Sequence, residues 1–115
     1  MEASVRRQLD ALGLDDVLIE AAGPMDLAIW GAGWQAKYLL ANASFFKHAK
    51  PAFLVDSTPS KIGSKFMGIA VRDPRELINS DIPVLIAAVQ GYPAIYREFI
   101  SLGLSPLRLI TKLVI

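Results

Sequence analysis

The chain has 115 residues, a length that suits one domain. Of these, 53% are hydrophobic and the mean hydropathy is +0.39, a composition that can build a core and is unlike a disordered segment. Twelve basic and eleven acidic residues leave a net charge of +1, which gives no electrostatic footprint for DNA or RNA. There is no cysteine, so disulfides, thiolate metal sites and cysteine nucleophiles are excluded; a reducing, cytoplasmic setting is compatible.

The first 24 residues predict a helical leader. Val5, Leu9 and Leu12 fall on one helix face, Gly13 interrupts, and Asp15 caps a second short helix over Val17 to Ala22 before Gly23-Pro24 stops it. The opening "MEASVRRQLDALG" is too polar for a secretory signal peptide. The leader is expected to pack on the main domain, residues 25–115, with a partner-binding role as the alternative.

From Leu27 the pattern alternates. Leu27 to Trp30 predicts a short buried strand, and Trp34 to Lys47 a helix with Leu39, Leu40, Ala43 and Phe46 on its apolar side. Ala52 to Asp56, "AFLVD", is a second strand, followed by a polar loop over 57–66. Gly68 to Arg72 is a third strand, and Asp73-Pro74 reads as the cap and first position of a short helix. "PVLIAAV" is a fourth strand. Pro93 to Leu102 is a helix ended by Gly103, and Leu107 to Ile110 a fifth strand. The longest apolar run, Ile82 to Val89, is far shorter than the ~20 residues of a bilayer span. Strands alternating with helices imply crossover connections, and apolar runs imply a sheet covered on both faces. The expected architecture is therefore a Rossmann-like α/β three-layer sandwich of about five mainly parallel strands behind a helical leader.

The corner between the first predicted strand and helix reads "GAGWQA", which places Gly31, Gly33 and Ala36 in a G-x-G-x-x-G/A pattern. Gly31 permits a tight turn out of the strand. Gly33 leaves room for a pyrophosphate beside the backbone. Ala36 is small enough for the helix to lie close on the sheet. The helix N-terminus then offers free N–H groups and a partial positive charge to an anion. A tight turn alone also explains two glycines. Asp56, about twenty residues further on, stands where an acid binds ribose hydroxyls, an arrangement that suits NAD(H) over NADP(H); Lys61 and Lys65 nearby weaken that preference. Asp is also a common loop starter. A P-loop does not fit, because Ala36-Lys37-Tyr38 lacks the second glycine and the magnesium hydroxyl. Tyr92 and Tyr96 have no lysine at the spacing used by short-chain dehydrogenases.

The loop "DSTPSKIGSKFMGIAV", with "GAGWQAKYLL" before it and "VRDPREL" after it, resembles the Rossmann-like module of bacterial nucleotide-sugar and polysaccharide biosynthesis proteins, whose loop reads approximately D-x-x-P-x-K-x-G. That module begins certain sugar dehydratases, epimerases and acyltransferases. A similar domain closes some sugar C-methyltransferases, with an A-K-x-x-L-L helix start as in Ala36, Lys37, Leu39 and Leu40. The resemblance covers about residues 26 to 110. It implies a nucleotide or nucleotide-sugar site at Gly31, Ala32, Gly33, Trp34, Asp56 and Lys61. Gln35 and Ser57, beside them in the chain, complete the expected cofactor-binding set, with NAD or a nucleotide-sugar as the expected ligand. Coenzyme A and S-adenosylmethionine are further ligands to screen. Trp34 either stacks on a ligand ring or fills the cleft and excludes one. Gln90 and Gly91 follow the fourth strand, where sheet crevices meet ligands, or simply form a loop.

No catalytic set assembles. His48 is the only histidine and falls near a helix end, where a cation suits the dipole. Acidic residues show no metal spacing. Three functions remain: a non-catalytic nucleotide-binding module of a larger sugar-biosynthesis enzyme, which is the reading adopted; a small NAD-dependent oxidoreductase subunit; and a regulatory or interaction domain without a ligand. The expected partners are a nucleotide, the other domains of a parent enzyme and a second copy in a homodimer, with no nucleic acid and no membrane span.

Overall fold

The computed structural model describes residues 19–21 and 25–113. In chain order the regular elements are strands β1 (Ile19–Ala21) and β2 (Ala28–Trp30), helix α1 (Trp34–Asn42), strands β3 (Phe53–Val55), β4 (Lys65–Phe66), β5 (Ile69–Arg72) and β6 (Val84–Ile86), helix α2 (Tyr92–Ser101) and strand β7 (Leu109–Leu113). Short 3₁₀ segments cover Ser44–Lys47, Pro74–Asn79 and Pro106–Arg108. The sheet order is β1-β7-β6-β2-β3-β5-β4. Every neighbouring pair is parallel except β4 with β5. This is the expected Rossmann-like α/β fold.

Strand alternation sorts the core into two layers. Ile29, Leu54, Leu85 and Ile110 face one side, where Ala36 and Leu39 of α1 and Phe45 close the layer. Ala28, Trp30, Phe53, Val55, Val84, Ile86 and Leu109 face the other, against Phe99 of α2 and Leu77. Both faces are covered, which is why the strands read as near-continuous apolar runs.

Two strands were not legible as such. Ile19–Ala21, expected within a helix, pairs in parallel with β7 (Ile19 with Ile110, Glu20 with Lys112) across an irregularity after Ile19. The rest of the predicted leader lies outside the described residues. β4 falls within the predicted polar loop. It pairs with β5 through a two-residue turn, Met67-Gly68, in which both residues have positive φ (52° and 80°). Such turns match the right-handed twist of a hairpin.

Helix boundaries also moved. The helix expected through Lys47 ends at Asn42, because Ala43 turns extended (φ −69°, ψ 131°) and lets Phe45 enter the core beside Phe46, ring edge to face at 5.1 Å. His48 follows the 3₁₀ segment as its C-terminal residue and is exposed. β7 begins at Leu109 because Ser105 Oγ accepts the Leu107 amide at 3.2 Å and caps a 3₁₀ turn first. Asp73 caps the Pro74–Asn79 segment as expected, accepting the Arg75 amide at 2.9 Å. Gly103 takes φ +79° and ends α2.

Arg108 ties the amino end of the sheet together. Its Nε donates to the Ile82 carbonyl (3.1 Å) and its Nη1 to the Leu77 carbonyl (3.0 Å), while its Nη2 is buried without a partner. Arg108→Ala is expected to lower stability by about 1–2 kcal/mol, since two carbonyls lose a charged donor while one unpaired donor is removed. Urea unfolding measures this, and Arg108→Lys should recover little, because an ammonium cannot span both carbonyls.

Candidate functional site

The order of strands reverses at β2. From β2 the chain runs outward to β3 and β5, then crosses back to β6 and β7 on the other side. Ligands of open parallel sheets bind at the carboxyl ends of the strands where the order reverses, and the glycine corner stands there.

Gly31 is wedged between the ends of β3 and β6. Its amide donates to the Val55 carbonyl (2.8 Å), and the Ala87 amide donates back to the Trp30 carbonyl (2.8 Å). Its φ is +115°, and a Cβ placed on it would stand 3.0 Å from the Ala87 carbonyl oxygen. Gly33 is different. It is the N-cap of α1 with extended backbone (φ −133°), and a Cβ there would meet nothing within 4 Å. The first intrahelical bond runs from the Lys37 amide to the Gly33 carbonyl. The amides of Trp34, Gln35 and Ala36 precede it and have no partner within the helix. Ala36 is fully buried against the sheet.

Asp56 is drawn into this corner from the end of β3. One carboxylate oxygen accepts the Ala32 amide at 2.9 Å, and the other accepts the Thr58 amide at 2.8 Å. Burial opposes its charge, but the amides of Ala32 and Thr58, the Thr58 hydroxyl and the Lys61 ammonium outweigh that, and the carboxyl titrates below its ordinary value. Lys61 donates to the Ala32 carbonyl at 2.9 Å and lies 3.7 Å from Asp56. The Ala32 peptide is thus gripped on both sides: its N–H by Asp56, its carbonyl by Lys61. The half-exposed ion pair itself adds little, and the hydrogen bond fixes the lysine.

Gly31, Ala32, Gly33, Asp56 and Lys61 are therefore one cluster. Trp34 stands at the head of α1 with 57% of its surface exposed, so it does not fill the cleft. Gln35 is half-buried on the next position of the helix. Ser57 points elsewhere: its hydroxyl donates to Glu98 Oε2 at 2.7 Å, joining the loop after β3 to α2. Gln90 is exposed in the turn before α2 and lines neither cavity described below.

A cavity of about 220 Å³ is lined by Trp30, Gly31, Asp56, Ser57, Thr58 and Ile95. A second, of about 370 Å³, meets it at Ser57 and continues between the loop after β5 and the end of α2. There Arg75 forks onto Asp73; those hydrogen bonds hold the Asp73 carboxyl down at about 2. Thr58, Arg75 and Glu98 were not singled out in the sequence. Thr58 carried a signal, since Asp at i accepting the amide at i+2 is an Asx turn. Glu98, 41 positions from its partner, carried none. Tyr92 is buried with its hydroxyl unpartnered, and burial, then the neighbouring Tyr96, pushes it up to about 12. Among the described residues no group of acidic and histidine side chains is placed to hold a metal ion, and no helix is long and apolar enough to cross a membrane.

The fold and corner define a Rossmann-like α/β domain with a glycine-lined crevice at its switch point. No protein-family model matches the chain, and no curated protein does. Solved structures that match include the crystal structure of RSP in complex with β-NAD+ and operator DNA, at a TM-score of 0.49 and 19% identity, over 84% of this chain and 44% of that one. The chain spans less than half the length of RSP.

Proposed function

We propose that this chain is a nucleotide-binding module that holds a diphosphate at the head of α1 and the adjoining ribose at Asp56. The observation that carries the reading is the pairing of Gly33, whose missing side chain leaves open space at unfilled helix amides, with a carboxylate brought over from the next strand. NAD and nucleotide-sugars both present a diphosphate next to a ribose diol. A carboxylate has about four lone-pair positions, and the two amides leave room for the diol. The loop motif, with Lys61 closing on the corner, supports a place in a larger sugar- or polysaccharide-biosynthesis enzyme whose catalytic residues lie in another domain. One observation favours a second reading, a domain without a ligand: Asp56 is only 9% exposed and already engaged by the chain's own amides.

Calorimetric titration with NAD and with a UDP-sugar separates the two. Gly33→Asp is the informative variant. Aspartate is a favoured N-cap, so the melting temperature is expected to hold or rise. The same carboxylate would sit against the diphosphate, and affinity is expected to fall about ten-fold or more. Binding that is indifferent to Gly33→Asp, or no binding by the wild type, would overturn the proposal.

A further inference from the structure

At the amino ends of the strands, opposite the glycine corner, lies an apolar groove of about 130 Å³. It is lined by Leu40 of α1, by Phe46, Ala49 and Lys50 of the connection that follows, and by Met67 and Ile69 of the β4–β5 hairpin. Leu40, Phe46 and Ala49 are half-buried against the core, and Met67 overhangs them with 51% of its surface exposed. Met67 holds φ +52° in its turn, where asparagine or glycine is the usual residue. Lys47, Lys50 and Lys65 stand around the rim, exposed and without an ion pair to another described residue. From Leu27 to Arg72 there are six basic residues and one acidic one, Asp56, which is engaged in the corner. An apolar groove inside a basic rim fits an acidic amphipathic helix with anchors at i, i+4 and i+7.

The chain itself carries such a segment. Val5, Leu9 and Leu12 have that spacing, and residues 1–18 hold four acids against two bases. On a helix, Glu2, three before Val5, and Asp16, four after Leu12, extend the same face at its two ends. The segment does not reach the groove of its own chain. From β1 to β5 there are five strand steps, about 24 Å in the plane of the sheet. The seven residues from Leu12 to Ile19 span about 24 Å only when fully stretched, and the groove stands off the sheet beside α1. A second copy has no such restriction. We infer that the segment ahead of β1 docks in this groove of a second copy, with its apolar face on Phe46 and Met67 and its carboxylates among the rim lysines. The exchange is reciprocal and closes a two-fold dimer.

Sedimentation velocity on the full chain tests this. The wild type is expected to be a dimer at micromolar concentration that loosens as salt is raised. Met67→Asp removes an anchor and repels the incoming acids, on a backbone that suits aspartate. It should weaken the dimer about ten-fold or more, and so should Lys50→Glu. Leu9→Asp spoils the segment and leaves the groove intact. Mixed with Met67→Asp chains it should recover a heterodimer, because one groove and one segment remain sound. Leu107→Asp changes an exposed apolar side chain outside the groove and should leave the dimer unaltered. A wild type that is monomeric throughout, a dimer indifferent to Met67→Asp and Lys50→Glu, a mixture that stays monomeric, or a dimer lost in Leu107→Asp overturns the inference. None of these outcomes bears on the nucleotide reading, whose residues lie at the other ends of the strands.

Discussion

Gly31→Ala is expected to cost about 2–3 kcal/mol and lower the melting temperature by roughly 10 °C, whereas Gly33→Ala should change stability by no more than about 0.5 kcal/mol. The two glycines are two residues apart in one motif, and their backbones separate them. At φ +115° an L side chain is strained wherever it points, and at Gly31 it would point at the Ala87 carbonyl oxygen, 3.0 Å away. Neither neighbour yields cheaply. The Gly31 amide is bonded to Val55 on β3, and Ala87 is bonded to Trp30 on β2, so relief requires moving two strands of the central sheet. Gly33 has extended backbone that any residue adopts, and its Cβ would meet open space. Thermal and urea unfolding of the two variants, side by side, separate a glycine that the turn requires from one that it does not. Equal stability losses at both positions would mean that the corner is a tight turn only.

Asp56→Ala is expected to lower stability by about 2–3 kcal/mol, in addition to removing the proposed ribose contact. The loss comes from two backbone amides left without an acceptor. That of Ala32, which is 4% exposed, has no solvent to turn to, while Thr58 is exposed and recovers a water. Asp56→Asn should cost about half as much, because one amide oxygen replaces two carboxylate oxygens and the amide nitrogen faces a donor. A pH dependence follows from the same bonds. The folded carboxyl titrates below its unfolded value near 3.8. The unfolded state therefore binds the proton first on acidification. The stabilisation is complete above the unfolded value and is lost as pH falls through the folded one. Unfolding free energies measured between pH 6 and pH 2 should show an acid limb in the wild type that is shallower in Asp56→Asn. An identical limb in both would place the carboxylate outside the hydrogen-bonded network.

The parts of the molecule that were legible in sequence are those written locally. Leu27 to Trp30 followed by two glycines, the Asp73-Pro74 cap and the Gly103 stop each state their conformation within a few residues, and each is found where expected. The parts that were not legible depend on distant partners. Ile19–Ala21 is a strand because β7, some ninety positions later, has an open edge for it; three residues have no periodicity of their own to announce this. Lys65–Phe66 becomes a strand only by pairing with β5. At Ala43 the burial of Phe45 outweighs the propensity of a helix to continue. The site divides the same way. Gly31, Gly33 and Asp56 were readable from spacing, and the structure joins them with Lys61 around the Ala32 peptide. Glu98 reaches the second cavity through a tertiary contact to Ser57, which no local pattern encodes, whereas Arg75 is placed locally by its fork onto Asp73.

The two tryptophans give the crevice an internal optical readout. Trp30, at 1% exposure, sits in the apolar layer beneath the smaller cavity, while Trp34, at 57%, stands in water at the head of α1. Four positions apart, they are a shielded and an unshielded indole on either side of the same glycines. Emission from the first reports the integrity of the sheet and emission from the second reports the lip of the crevice, so occupancy and unfolding can be followed separately in one unlabelled sample.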